Sequence, residues 1–411
     1  MEEVEVIVQK AQGLVDLNRY PAAIKELKKA LSIDPDHFYG LALICGCFID
    51  EKDKEEALEY SQKLLSVYPY EALSHYYMAH AHDLNGETEK AESEIREAIE
   101  IEPNDADYMG FLAAIYIDKR DWEQALKYVN QGLEIDPESV LCLNHRTLIL
   151  TKLGRKEEMR TAAEDTLAAS PDHWYSHANV GWSLLETREY NKAKGHFLEA
   201  LRINPNAEHA RDGMKEALKA QNFLFRWYLN YAFWMVSKSD KVQWGVIIAF
   251  VFARRIFTGL ASEYPIFYVV VALMILLVYS VWIMDTVGDL LLLTDRFGRH
   301  ILRDGEKKAG WITGIGLSLA LLSGIIGFAL GLESWYYLSV VFATFIIPVG
   351  RYFHEKEENR TLLSKAFPLG ISFLAMYTIY GIFFKQSVDS FWIYILSLAV
   401  YSIAFNFRKT S

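Results

Sequence analysis

The sequence predicts an all-α protein in two parts. A solenoid of six stacked helix pairs with a capping helix is followed by a polytopic α-helical membrane bundle. Three observations carry that expectation. Six prolines, Pro35, Pro69, Pro103, Pro137, Pro171 and Pro205, stand at one constant interval, of a length typical of stacked repeats. The charge is split: residues 1–220 hold 41 acidic and 25 basic residues, a net of −16, and residues 221–411 hold 12 and 17, a net of +5. Uncharged runs cover 264–284, 309–332, 334–350, 366–384 and 390–407, each close to the roughly 20 residues a helix needs to cross hydrocarbon. The combination excludes one compact soluble body, a disordered acidic chain and a nucleic-acid binder built on a basic patch.

Aligning the first part on its prolines brings small residues into register. Twelve residues before each proline stand Ala23, Ala57, Ala91, Ala125, Met159 and Ala193, and five before it stand Ala30, Leu64, Ala98, Gly132, Thr166 and Ala200. A third series reads Ala11, Cys45, Ala79, Ala113, Thr147 and Gly181. Small side chains at fixed steps let two antiparallel helices approach, and each pair then stacks its apolar face on the next. Asp34-Pro35, Glu102-Pro103 and Asp136-Pro137 end helices, because proline cannot continue the hydrogen-bond ladder. Residues 4–205 therefore resemble six tetratricopeptide repeats. Asn206 to Ala220 reads as the helix that caps the array, which gives a first domain of 1–220. The fifth unit, with Thr147, Met159 and Thr166, departs furthest from the pattern.

The resemblance implies a groove lined by the first helix of each unit, which takes an extended peptide or a helix of a protein partner. The groove positions are Tyr39, Tyr76, Tyr77, His80, Asn144, His145, Tyr175, Asn179 and Trp182. Aromatic and amide side chains there supply contact area and hydrogen bonds to a peptide. The paired Lys and Asn clamp of the chaperone-tail type is missing, and the surrounding acidity favours a basic or neutral ligand.

Residues 221–241 are rich in aromatics, from Phe223 to Trp234, and read as an interfacial linker helix. A membrane domain, 242–411, then carries six expected crossings at 242–262, 264–284, 309–332, 334–351, 366–384 and 390–407. Arg254 and Arg255 interrupt the first. Intramembrane charge is a functional candidate by default, and snorkelling or pairing with Glu263 or Glu333 is the structural alternative. Bases gather in the links 285–309 and 351–365 and at the C-terminus. That asymmetry places both termini on the cytosolic side, in a membrane expected to be the bacterial inner (plasma) membrane. Met1-Glu2-Glu3 opens no signal peptide. Gly310, Gly314, Gly327 and Gly331 are spaced for close helix approach. Asp285 and Asp289 read as interfacial caps.

No catalytic motif appears, and the sequence calls for no cofactor and no metal. Cys45 and Cys47 point to nearly opposite sides of a helix and, with Cys142, read as buried thiols of a reducing compartment. The expected function is a membrane-anchored interaction scaffold that binds a protein or peptide partner and the lipid bilayer, but no nucleic acid. The alternative is a transporter or membrane enzyme with a regulatory repeat domain.

Overall fold

In a computed structural model, which describes residues 2–236, 240–295, 298–354, 362–385 and 390–398, the second helix of each pair ends two residues before its proline. The pairs are α1 (Glu2–Asp16) with α2 (Tyr20–Ile33), α3 (Phe38–Asp50) with α4 (Lys54–Val67), and α5 (Ala72–Leu84) with α6 (Thr88–Ile101). They continue as α7 (Ala106–Asp118) with α8 (Trp122–Ile135), α9 (Val140–Lys152) with α10 (Lys156–Ala169), and α11 (Trp174–Glu186) with α12 (Tyr190–Ile203). The chain divides into two compact units, Met1–Glu189 with Gly195–Ala207 and Tyr190–Lys194 with Glu208–Ser411.

In the first unit the turn inside each pair is set by one left-handed residue. Asn18, Lys52, Gly86, Arg120, Gly154 and Arg188 have φ between 54° and 77° and recur at the interval of the prolines. Only two of the six are glycine, so four turns hold a side chain in a conformation that disfavours it. Side-chain caps start several helices: Asp53 accepts from the Glu56 amide at 3.3 Å and Asp121 from the Gln124 amide at 3.2 Å, satisfying donors that the helix leaves orphaned.

All three small-residue ladders are buried along their whole length. A fourth series at the same period, Leu27, Ser61, Ile95, Val129, Ala163 and Phe197, is buried with them and complements the Ala11–Gly181 ladder in volume. Its largest member, Phe197, meets the smallest, Gly181: a Cβ there would stand 2.8 Å from the ring. Ser61 faces Cys45, its hydroxyl enclosed. Gly132 likewise makes room for Cys142, whose Sγ would lie 2.6 Å from a Cβ. The fifth unit keeps two regular helices because its hydroxyls are satisfied: Thr147 and Thr166 bond each other at 3.1 Å, and both reach the Leu143 carbonyl at 3.1 Å.

The second unit contains α13 (Glu208–Lys219), α14 (Phe223–Val236), α15 (Asp240–Ala261), α16 (Ile266–Thr294), α17 (Gly298–Ile301), α18 (Asp304–Leu330), α19 (Glu333–His354) and α20 (Leu362–Tyr380), which ends in a π-turn at Gly381–Lys385. The helix expected to cap the repeats, α13, belongs to this unit, so the units divide before it and not at Ala220. The reason is charge. Lys215 and Lys219 are buried, 6% and 4% exposed, and their partners lie on α16 and α18. The Lys215 ammonium meets Glu306 and Asp212 at 2.6 Å each, and Arg303 reaches the same two carboxylates at 3.2 and 3.4 Å. Lys219 lies 3.2 Å from Glu216 and 3.4 Å from Asp289, its stem crossing Gly288. Burial alone would pull the Lys219 ammonium down, but Glu216, Asp289 and Asp285 outweigh it and hold it above the ordinary lysine range. Asp289, 1% exposed, is thus an ion-pair partner and not an interfacial cap; Asp285 is exposed.

Of the glycine pairs, Gly310 and Gly314 accept leucines of α16, with Leu293 and Leu290 at 2.7 and 3.0 Å from a Cβ. Gly331 instead caps α18 at φ 66°. Among the described residues, two helices are long and apolar enough to cross a membrane, Asp304–Leu330 and Lys365–Phe384. A third would follow if the halves of α16, Ile266–Leu277 and Trp282–Thr294, bent by 67°, form one span. That is fewer than six. Uncharged is not the same as apolar: α19 dilutes its hydropathy with tyrosines, hydroxyls and Pro348, and α15 with Arg254 and Arg255. The half of 390–407 that follows residue 398 lies outside the described residues.

Two outcomes test this packing. Gly181→Ala should destabilise the protein by about 1–3 kcal/mol, and Phe197→Leu in the same chain should recover most of that loss in urea melts. A double mutant no more stable than Gly181→Ala refutes the complementarity. Lys219→Met should cost about 3–5 kcal/mol by stranding a buried carboxylate. Adding Asp289→Asn should lessen the loss in thermal melts of the full chain; strict additivity would show that the pair is uncoupled.

Candidate partner-binding groove

The first helices follow one another along one side of the first unit: α1 touches α3, α3 touches α5, α7 touches α9 and α9 touches α11. Stacking at a fixed register turns one helical position into a row. Tyr77, Phe111, His145 and Asn179 occupy a single position in four successive units, each one repeat period beyond the last.

The structure gathers Tyr76, Tyr77 and His80 of α5 into one aromatic cluster with Tyr108 and Phe111 of α7. Tyr76 lies 4.5 Å from His80, 5.1 Å from Tyr108 and 6.0 Å from Phe111, and His80 lies 3.8 Å from Phe111, ring centre to ring centre. Tyr77 covers Gly46 of α3. Burial pulls both His80 and His145 down to about 4, so both rings are neutral at pH 7. His80 Nε2 and His145 Nδ1 are enclosed and have no hydrogen-bond partner among the described residues.

The other expected groove residues separate into two kinds. Tyr39 and Tyr175 are exposed, at 65% and 41%. Asn144 is buried and serves as an inter-repeat latch. Its Nδ2 donates to the Val140 carbonyl at 2.8 Å and to Ser176 Oγ at 3.0 Å, and its Oδ1 accepts from Asn179 Nδ2 at 3.0 Å. Trp182 packs edge-on to Phe197 at 5.7 Å. In the second unit, Arg254 and Arg255 are exposed on α15, and among the described residues neither pairs with Glu263 or Glu333.

Tyr108 and Phe111 were legible in the sequence, since Phe111 is one period beyond Tyr77. A set of carboxylates was less so. Asp50, Asp83 and Asp118 stand in the last turns of α3, α5 and α7, where the helix dipole already concentrates negative potential. Burial pushes all three above the usual aspartate range, with Asp118 adding to the rise at Asp83. Asp107 is raised by burial and by Asp105 and Asp136. Aromatic faces and carboxylates on one run of helices, with Asp50 acting on Tyr77 and Asp107 on Tyr76, suit a cationic side chain. Among the described residues no group of His, Cys, Asp or Glu is arranged to hold a metal. Burial pushes the Cys45 and Cys47 thiols up to about 12 and about 11, far from reactive thiolates.

The two buried imidazoles make a pH prediction. Their folded values lie below the free value of about 6.5, so they favour the fold above pH 6.5 and that contribution is lost as pH falls toward 4. The raised aspartates act in the opposite sense, so the comparison must be between variants. His80→Phe with His145→Phe should flatten the fall in stability between pH 7 and pH 4 by several kcal/mol in urea melts. An unchanged pH slope would show that neither ring titrates as described.

Residues 84–141 and residues 4–37 match two tetratricopeptide repeat family models. Among curated proteins the chain is similar to the DnaJ homolog subfamily C member 3 homolog of Dictyostelium discoideum, 22% identical over 246 residues, which cover 55% of this chain and 48% of that one. It is also similar to the type IV pilus assembly protein PilF of Pseudomonas aeruginosa, 30% identical over 125 residues, or 29% and 49% of the two chains. The chain spans about half the length of each of these relatives. The solved APC/C hetero-tetramer Cut9-Hcn1 is similar over 52% of this chain and 43% of that chain, with 17% identity and a TM-score of 0.47.

Proposed function

From a first unit that contains a tetratricopeptide repeat region, we propose that the protein is an interaction scaffold whose row of first helices binds an extended, basic segment of a protein partner. The observation that carries this reading is the half-buried set Tyr76, Tyr77 and His80, packed over the buried rings of Tyr108 and Phe111, with raised carboxylates at Asp50, Asp83 and Asp118 on the same run of helices. A lysine or arginine side chain relieves the repulsion between carboxylates and stacks on a ring, the cation–π contact contributing about 0.5–2 kcal/mol. The exposed rings of Tyr39 and Tyr175 extend the contact surface at either end.

The scaffold is also proposed to be membrane-anchored, with the repeats and both termini on the cytosolic side. The apolar surface of the second unit supports this. The candidate span α18 exposes Ile315, Leu321, Leu322, Ile325 and Phe328, and α20 exposes Leu369, Phe373 and Met376. Side chains of this kind on regular helices suit lipid as their solvent. Extraction of native membranes with alkaline carbonate should leave the protein in the pellet, and release into the supernatant would defeat the anchor.

Partner capture by the full chain in native membranes, read by photo-crosslinking, should fall at least tenfold for the variant Tyr77→Ala, Asp83→Lys, Asp118→Lys. Capture by the unaltered chain should weaken as salt rises. A partner list that the triple substitution leaves intact would sink the groove reading.

A further inference from the structure

The fifth repeat contains a cavity of about 480 Å3 between α8, α9 and α10, and the repeat register shows why it is there. Arg146 occupies the position that Ile44, Met78, Leu112 and Val180 fill in four other units, all four of them buried, and that an exposed Lys10 fills in the first. Ala169 stands where the other units have Ile33, Val67, Ile101, Ile135 and Ile203. An aliphatic core position has become a guanidinium, and a branched side chain that would border it has become a methyl group.

The guanidinium is held loosely. Its Nη1 lies 4.0 Å from Asp165 Oδ2, beyond hydrogen-bond reach, and its Nε is enclosed with no hydrogen-bond partner among the described residues. Glu158, within electrostatic range of Arg146, is already taken by Arg155 in a two-pronged contact at 2.7 and 2.6 Å. The walls therefore offer one planar cationic fork, carboxylates from Asp165 and Glu138, and apolar surface from Leu133 and Leu143. An arginine with unused donors recognises a carboxylate through its fork geometry. The flanking acids oppose a simple anion and favour a molecule that carries its own positive charge beside the carboxylate.

We propose that this cavity is a binding site for a zwitterionic small molecule of the apolar α-amino-acid type. Its carboxylate sits on Arg146, its ammonium faces Asp165 and Glu138, and its side chain lies against Leu133 and Leu143. The site lies between repeat helices and is independent of the partner-binding row.

Calorimetric titration of the full chain in detergent micelles tests it, with L-leucine, L-methionine and L-phenylalanine as probes. Isovalerate, which lacks the ammonium, and isoamylamine, which lacks the carboxylate, serve as single-ended controls. At least one amino acid should bind with one-to-one stoichiometry, and both controls at least tenfold more weakly. Arg146→Leu restores the apolar type found in four of the other five repeats, so it should keep or raise the thermal midpoint while removing binding. Asp165→Asn should weaken the amino acid more than isovalerate. The proposal is overturned if none of the three amino acids binds, if isovalerate binds as tightly as leucine, or if Arg146→Leu or Asp165→Asn leaves binding unchanged.

Discussion

The first unit depends on one constraint: two helices must approach closely at the same three places in every repeat. The small ladders meet it, and the exceptions show that approach is what matters. Where α12 brings a phenylalanine, α11 answers with Gly181; where α9 brings Cys142, α8 answers with Gly132. Volume is conserved across the contact more strictly than residue type, as expected of an interior packed like a crystal. The same spacing then sets the rows on which the aromatic cluster is built, so the candidate site follows from the packing rule without a dedicated loop.

The second unit is organised by a different force. Its helix α13 is amphipathic, but two lysines stand on the buried face. Burying them is tolerable because five carboxylates, two of them shared with Arg303, balance the cations. Such a network contributes little net stability against an apolar alternative, yet it is costly to break and strongly favours one register. That explains why α13 follows the repeats in sequence and belongs in structure with α16 and α18. Around Gly310 and Gly314 the contact reverts to close approach, with leucines of α16 occupying the space of the missing side chains.

Periodicity made much of this legible. The proline step located the end of every second helix, and the small ladders named buried residues from Ala11 to Ala200. Left-handed turns were not legible, because Lys52, Arg120 and Arg188 carry no glycine or asparagine signal. Asn144 appeared as a groove residue because one sequence cannot distinguish an amide aimed at a partner from one aimed at the next helix. Helix α13 was assigned to the repeats because charge was counted along the chain, whereas its lysines are neutralised by Asp289 and Glu306, far along the sequence on α16 and α18. Uncharged length is a weaker guide to apolar spans for a similar reason: hydropathy depends on what the uncharged residues are.

A repeat also makes its own departures interpretable, because each unit is a control for the others. Most substitutions at buried register positions in this chain are compensated within reach. Thr147 and Thr166 hydrogen-bond each other, Phe197 faces a glycine, and Cys45 meets Ser61. Arg146 is different. Its charge is not matched at hydrogen-bond distance, and the neighbouring change to Ala169 enlarges the space instead of filling it. The Arg146 side chain is 33% exposed, so its charge keeps contact with water, but its enclosed Nε is a buried donor without a partner, which is costly to leave unmade. Two adjacent departures that both open a cavity and leave a guanidinium facing into it are therefore better explained by a ligand than by drift in a surface repeat.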